Sequence, residues 1–227
     1  MPGFNLSSWT ERGVASLRDS PGIDDELADM AESSAAFHGH LCPGLAVGII
    51  ASRMALRDAR RAEDEELVAV VENDACGVDA VQAITGCTYG KGNFIHLDHG
   101  KSVFTFHNRK TGEALRLSLK PDVYGGGNRE RTDELFGKMR DGTITEDELN
   151  EFWEGHIERT RLILERGDDI FVSSTVREEP PERARIFESV PCDSCKEPVM
   201  ATRVVEKDGM KLCIPCSEGT NGGGTVS

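Results

Sequence analysis

Long apolar runs are missing from this chain. The longest, Leu45 to Ala51, is broken by Gly48 and is far too short to cross a bilayer, which argues against a membrane role. The first residues, MPGFNLSSWTER, lack a basic start followed by an apolar stretch, so no signal peptide is expected and the protein is expected to be cytoplasmic. Basic residues are also scarce. Lys and Arg total 26 against 40 Asp and Glu, a formal net charge of −14. Nucleic-acid binders gain affinity by neutralising phosphates, so this balance argues against nucleic-acid partners. Aromatic residues make up 6% of the chain, and Trp9 and Trp153 read as packing residues. No internal repeat, haem motif or complete nucleotide-binding loop is visible.

What is present is cysteine, seven in 227 residues. In a cytosolic chain this points to metal binding or reactivity rather than disulfides. Four of the seven form the strongest local signal. Cys192-Asp-Ser-Cys195 is followed, after seventeen residues, by Cys213-Ile-Pro-Cys216. Each CxxC knuckle sets two thiolates on one side of a tight turn, and two knuckles complete a tetrahedral sulfur site for structural zinc, with an iron–sulfur cluster or a redox pair as the alternatives. The sequence between them reads as a hairpin turning at Lys207–Gly209. Residues 188–218 carry four basic and six acidic side chains, which offers no phosphate-binding face.

Ahead of this module, hydrophobic patterning predicts an α+β core with a mixed or antiparallel sheet packed with helices. Helices are expected over 24–36 and from Pro43 onward. LVAVVE (67–72) reads as a buried strand, followed by a helix opened by Asn73 or Asp74 and ended by Gly86. Two or three antiparallel strands should follow, with a turn at 108–112. After a glycine-rich loop (121–132), helices near 132–140 and 145–166 and a strand over 169–176 are expected. The domain reading is a core over 1–176, a Pro-rich charged linker over 177–187, the zinc module over 188–218, and a disordered tail over 219–227.

The core holds three short motifs. In FHGHLCPG (37–44), His38, His40 and Cys42 lie within five positions. Pro43 as first helical residue makes Cys42 the N-cap, where unpaired N–H groups and the helix dipole favour a thiolate. Cys76 lies in a similar setting after a buried strand, with Asp79 one turn on to orient a histidine or a metal ligand. His38, His40, Cys42 and Cys76 are therefore candidate core metal ligands, and Cys42, His40 and Cys76 candidate catalytic groups. TYGKGN (88–93) offers Lys91 and close backbone approach for an anion or cofactor. Cys87, some 11 residues beyond Cys76, is roughly 16 Å away along a helix, so it ranks lower, as does His96. His107 and His156 read as structural, and DGTITEDEL (141–149) as a turn and helix cap rather than a calcium loop.

These stretches together carry a family resemblance. FHGHLCPGLAVG, ENDACGVDAVQAITGCTYGKGN, DHGKSVFTFHNRKTGEALRL and the paired knuckles resemble the FmdE-like family of formylmethanofuran dehydrogenase proteins, over about residues 25–120 and 190–216. The family pattern is matched at His38, His40, Cys42, Cys76, Asp79, Cys87, Gly90–Gly92 and Gly100–Lys101. The resemblance implies an α+β core, a C-terminal treble-clef zinc finger, a homodimer, and a molybdenum or tungsten oxidoreductase as partner. It leads to a metal-binding accessory protein or subunit whose Cys/His core site holds zinc, nickel or iron. A stand-alone enzyme using Cys42 as nucleophile or thiol carrier, and a zinc-finger regulator, are the alternatives.

Overall fold

The computed structural model describes residues 6–125 and 129–220. The described residues fall into two compact units, divided between Arg183 and Ala184.

The larger unit is organised around one buried helix. Ten of the fourteen residues of α3 (Pro43–Leu56) are buried. A helix apolar on every side belongs in a core, and α3 packs against α2 (Asp25–His38), α4 (Gly77–Thr85) and α6 (Glu146–Arg166). An additional helix, α1 (Leu6–Arg18), buries Trp9, Gly13 and Leu17. Sequence patterning does not single it out, because its apolar stripe is thin and its N-terminus carries no acidic cap. Helix α5 (Arg129–Arg140) precedes α6, whose start is fixed by a Thr145–Glu148 capping box, the helix cap expected for 141–149.

The sheet has five strands in the order β2-β1-β3-β4-β5. They are β1 (Leu67–Val71), β2 (Phe94–His96), β3 (Val103–Asn108), β4 (Glu113–Leu119) and β5 (Phe171–Val176). Leu67, Ala69, Val71, Phe104, Phe106 and Leu117 alternate onto the helix-covered face. β3–β4 form the expected hairpin, and β4–β5 are antiparallel. β2 corrects the antiparallel reading, since it pairs parallel with β1. The reason is the intervening α4, which carries the chain back over the sheet as a crossover. Fold class is therefore α+β with a mixed sheet.

The expected linker is partly docked. Arg109 donates to the Pro181 carbonyl at 2.6 Å and to the Glu65 carbonyl at 2.9 Å, which ties the stretch up to 183 to the larger unit. Of the glycine-rich loop, residues 126–128 lie outside the described residues, as do 221–227 of the expected tail.

The smaller unit holds β6 (Ser189–Pro191), β7 (Pro198–Met200), β8 (Val205–Lys207), β9 (Met210–Leu212) and α7 (Ile214–Glu218). Its hairpin turns at Asp208-Gly209, as expected, with both residues at positive φ. The interior is little more than Leu212, Val199 and four cysteines. So small a core cannot hold a fold of this length without a cross-link or metal.

The tightest helix contact is a backbone one. A Cβ at Gly48 on α3 would lie 2.0 Å from the Gly77 carbonyl oxygen at the start of α4. Gly48→Ala is expected to cost at least about 2 kcal/mol in urea unfolding. Gly137→Ala in α5, where a Cβ meets nothing within 4 Å, is expected to be neutral or to stabilise by up to about 1 kcal/mol.

Candidate metal centre and thiol pair

His38 is the last residue of α2, and Gly39 ends that helix in the left-handed region at φ 96°. The turn releases His40 and Cys42 back toward the same point. Cys42 is the N-cap of α3, as expected, and its sulfur accepts from the Leu45 N–H at 3.4 Å. One ligand atom from each of His38, His40 and Cys42 lies within 4.8 Å of the others.

Cys76 arrives from the opposite side. The sequence pattern puts it in the first turn of α4; it is instead the N-cap and makes no side-chain capping bond. Asn73 accepts from Ala75 N–H in a local turn rather than capping the helix. Because α3 and α4 cross at their glycines, the Cys76 sulfur lies 3.7 Å from where a Gly44 Cβ would stand. There it lies close enough to Cys42 and His38 for both to act on its titration.

The thiol pair titrates opposite to expectation. Hydrogen bonding to Cys76 and burial push the Cys42 thiol far up, and these outweigh the N-cap N–H groups that stabilise its thiolate. The hydrogen bond from Cys42, aided by His38, brings the half-exposed Cys76 down to about 6. Of the two thiols, Cys76 is the more acidic.

His38 and His40 each bring a ring nitrogen to the cluster. His38 Nδ1 is 2.6 Å from Asp79 Oδ2. A carboxylate only accepts, so Nδ1–H donates and the lone pair falls on Nε2. That Nε2 is buried and has no hydrogen-bond partner. A buried polar atom without a partner is costly and calls for an explanation. Asp79 thus holds the His38 ring by its Nδ1. Burial, reinforced by His38, lowers the pKa of His40 and keeps its imidazole neutral, the form that binds metal. Two imidazoles and one or two thiols suit zinc, nickel or iron.

Other expected site residues lie elsewhere. Cys87 is buried, its thiol 3.4 Å from the Leu67 carbonyl oxygen and its pKa raised by burial. Lys91 Nζ donates to the carbonyls of Ala62, Glu63 and Asp64 at 3.1, 3.4 and 3.4 Å. Asn93 Nδ2 adds Asp64 and Leu67. TYGKGN is thus a strap that fastens the loop before β1, with its cation committed to backbone. His96 is exposed at the end of β2. His99 pairs with Glu72, which also faces Lys101 and Arg116.

The contribution of α6 to the site is not legible in the sequence. The Trp153 ring stands edge-on to His40 at 6.2 Å, and His156 lies 5.6 Å from Trp153. Burial, with Arg159 beside it, drives the His156 pKa down to about 4. Both residues follow ordinary core spacing, so no local signal separates them from packing.

In the smaller unit, one sulfur from each of Cys192, Cys195, Cys213 and Cys216 lies within 4.8 Å of the others. Cys213 N–H donates to Cys192 and Cys216 N–H to Cys213, the backbone contacts that support zinc-bound thiolates.

Residues 37–173 match the family described as FmdE, molybdenum formylmethanofuran dehydrogenase operon. The chain belongs to the FmdE family. Residues 185–220 match the prokaryotic dksA/traR C4-type zinc finger, in keeping with the four-sulfur cluster. A solved structure, that of a tungsten formylmethanofuran dehydrogenase FmdE-like protein from Syntrophus aciditrophicus, is 25% identical. It aligns with a TM-score of 0.57 over 86% of this chain and 94% of that one. A probable S-adenosyl-L-methionine-binding protein of Archaeoglobus fulgidus is 37% identical over 191 residues, 80% of this chain. This FmdE chain spans about half the length of that relative.

In metal-free protein, iodoacetamide is expected to label Cys76 before Cys42. With a thiol pKa of about 6, the rate should fall as pH drops below 6 and change little from pH 7 to 9. Faster labelling of Cys42, or a rate that climbs about tenfold per pH unit between 7 and 8.5 as for an ordinary thiol, would contradict this assignment.

Proposed function

We propose that this FmdE protein is a metal-binding accessory protein or subunit of molybdenum or tungsten oxidoreductase metabolism, with two metals per chain. One is the zinc of the C-terminal finger. The other is a thiophilic divalent ion held by His38, His40 and Cys42, with Cys76 as the fourth donor. The unpartnered, buried Nε2 of His38, aligned by Asp79, is the observation that carries the core site. Bound there, the ion would supply Lewis acidity to a ligand beside it. The chain's own contribution is a pre-oriented imidazole, a neutral His40 and a thiol pair of which Cys76 is the more acidic. Supporting the metabolic role are the family and the tungsten formylmethanofuran dehydrogenase FmdE-like neighbour. A homodimer in the cytoplasm is part of this reading. The finger, with six acidic and four basic residues over 188–218, suits a protein contact better than a nucleic acid.

A second reading has one observation in its favour, the lowered Cys76 pKa. In a thiol enzyme Cys76, rather than Cys42, would be the attacking group, with His38 beside it.

Metal analysis of the full chain separates the two. The expected result is two metals, falling to one in Cys192→Ser/Cys195→Ser and to one in His38→Gln/Cys42→Ser. A single metal in the full chain that vanishes with the finger cysteines would sink the core site and leave the thiol enzyme.

A further inference from the structure

Near the thiol pair, α6 together with Pro43, Val123 and Tyr124 lines a cavity of about 190 Å³. Its lining includes Pro43, Val123, Tyr124, Arg159, Ile163 and Arg166. By volume it holds roughly six waters. The walls are apolar apart from a phenol and two guanidiniums, the pattern of a small-ligand site with a few placed polar groups.

The two arginines lie two turns apart on α6, on one face of the helix. They differ in how their charge is met. Arg166 is paired with Asp122 at 2.9 Å. Arg159 donates to the Gly155 carbonyl at 3.1 Å, the Thr132 hydroxyl at 3.1 Å and His156 Nδ1 at 3.1 Å. All three partners are neutral, and no carboxylate lies within ion-pair distance of Arg159 among the described residues. Asp133 acts on it only from farther off. Burial opposes the Arg159 charge, which makes an incoming anion more favourable than at an exposed arginine.

The cavity also adjoins the core site through its wall residues. Pro43 is its wall and the residue after Cys42. Tyr124 is its wall too, and lies near enough to Cys42 and Cys76 that their charges help raise its pKa to about 12, though burial contributes more. On the far side, Arg159 connects through His156 and Trp153 to His40.

We propose that this cavity seats a small organic carboxylate, its anionic end on Arg159 and its short apolar body along Pro43, Val123 and Ile163, facing the Cys/His centre. The inference deepens the reading of that centre as a functional site by naming its ligand class. No covalent step is part of it.

Calorimetric titration of the full-length, metal-loaded protein with butyrate, butyramide and butylamine tests the idea. Butyrate should bind saturably and at least tenfold more tightly than butyramide, and butylamine should not bind. Arg159→Met should lose tenfold or more for butyrate and leave butyramide unchanged, with the metal content and thermal unfolding of the parent. Arg159→Lys, which keeps a charge without the planar fork, should recover part of the loss. Equal binding of butyrate and butyramide, no saturable butyrate binding, or full butyrate affinity in Arg159→Met would overturn the proposal. Titration of His38→Gln/Cys42→Ser keeps the two readings apart. Retained butyrate binding with the core metal absent from every sample refutes the metal site and leaves the carboxylate pocket standing, whereas two metals without butyrate binding do the reverse.

Discussion

The candidate site exists because two helices touch backbone to backbone. Gly48 and Gly44 of α3 face Gly77 of α4 so closely that a methyl group at Gly48 would overlap the Gly77 carbonyl. Side chains of ordinary size would hold helix axes 8–10 Å apart. Glycines remove that spacing, so the N-terminal ends of both helices converge. Each end carries a cysteine, Cys42 on one and Cys76 on the other. The thiol pair is thus a consequence of packing, and the acidity of Cys76 is a consequence of the pair.

The other parts of the centre depend on the same crossing. Asp79, one turn into α4, reaches His38 at the end of α2 only because α4 lies across the start of α3. The carboxylate fixes the imidazole tautomer and turns Nε2 inward. Helix α6 closes the remaining side with Trp153, His156 and Arg159. The wall is aromatic and mostly apolar, which lowers the local polarity and explains why His40 and His156 stay neutral.

The two units handle stability differently. The larger unit buries a broad apolar core around α3 and β1. Its GKGN strap adds hydrogen bonds from Lys91 to the Ala62 carbonyl and from Asn93 to the buried Leu67 carbonyl. The smaller unit buries scarcely more than its own cysteines. There the sulfur cluster stands in for a core, and folding and metal binding become one event.

Local sequence determined a good deal. The N-cap role of Cys42 followed from Pro43, the α6 start from Thr145 and Glu148, the β3–β4 hairpin from its alternation, and the four-cysteine cluster from its spacing. These are short-range features, fixed by chain geometry within a few residues. Tertiary structure decided what depends on distant neighbours. It made β2 parallel, since a crossover helix constrains strand direction in three dimensions. It committed Lys91 to carbonyls about thirty residues away, and it buried Cys87. It also reversed the thiol expectation. The N-cap alone favours a Cys42 thiolate, but the neighbouring Cys76 and burial raise the Cys42 thiol and leave Cys76 the more acidic. Desolvation and sulfur–sulfur contact arise only once α3 and α4 have crossed, which is why no motif in FHGHLCPG announced them.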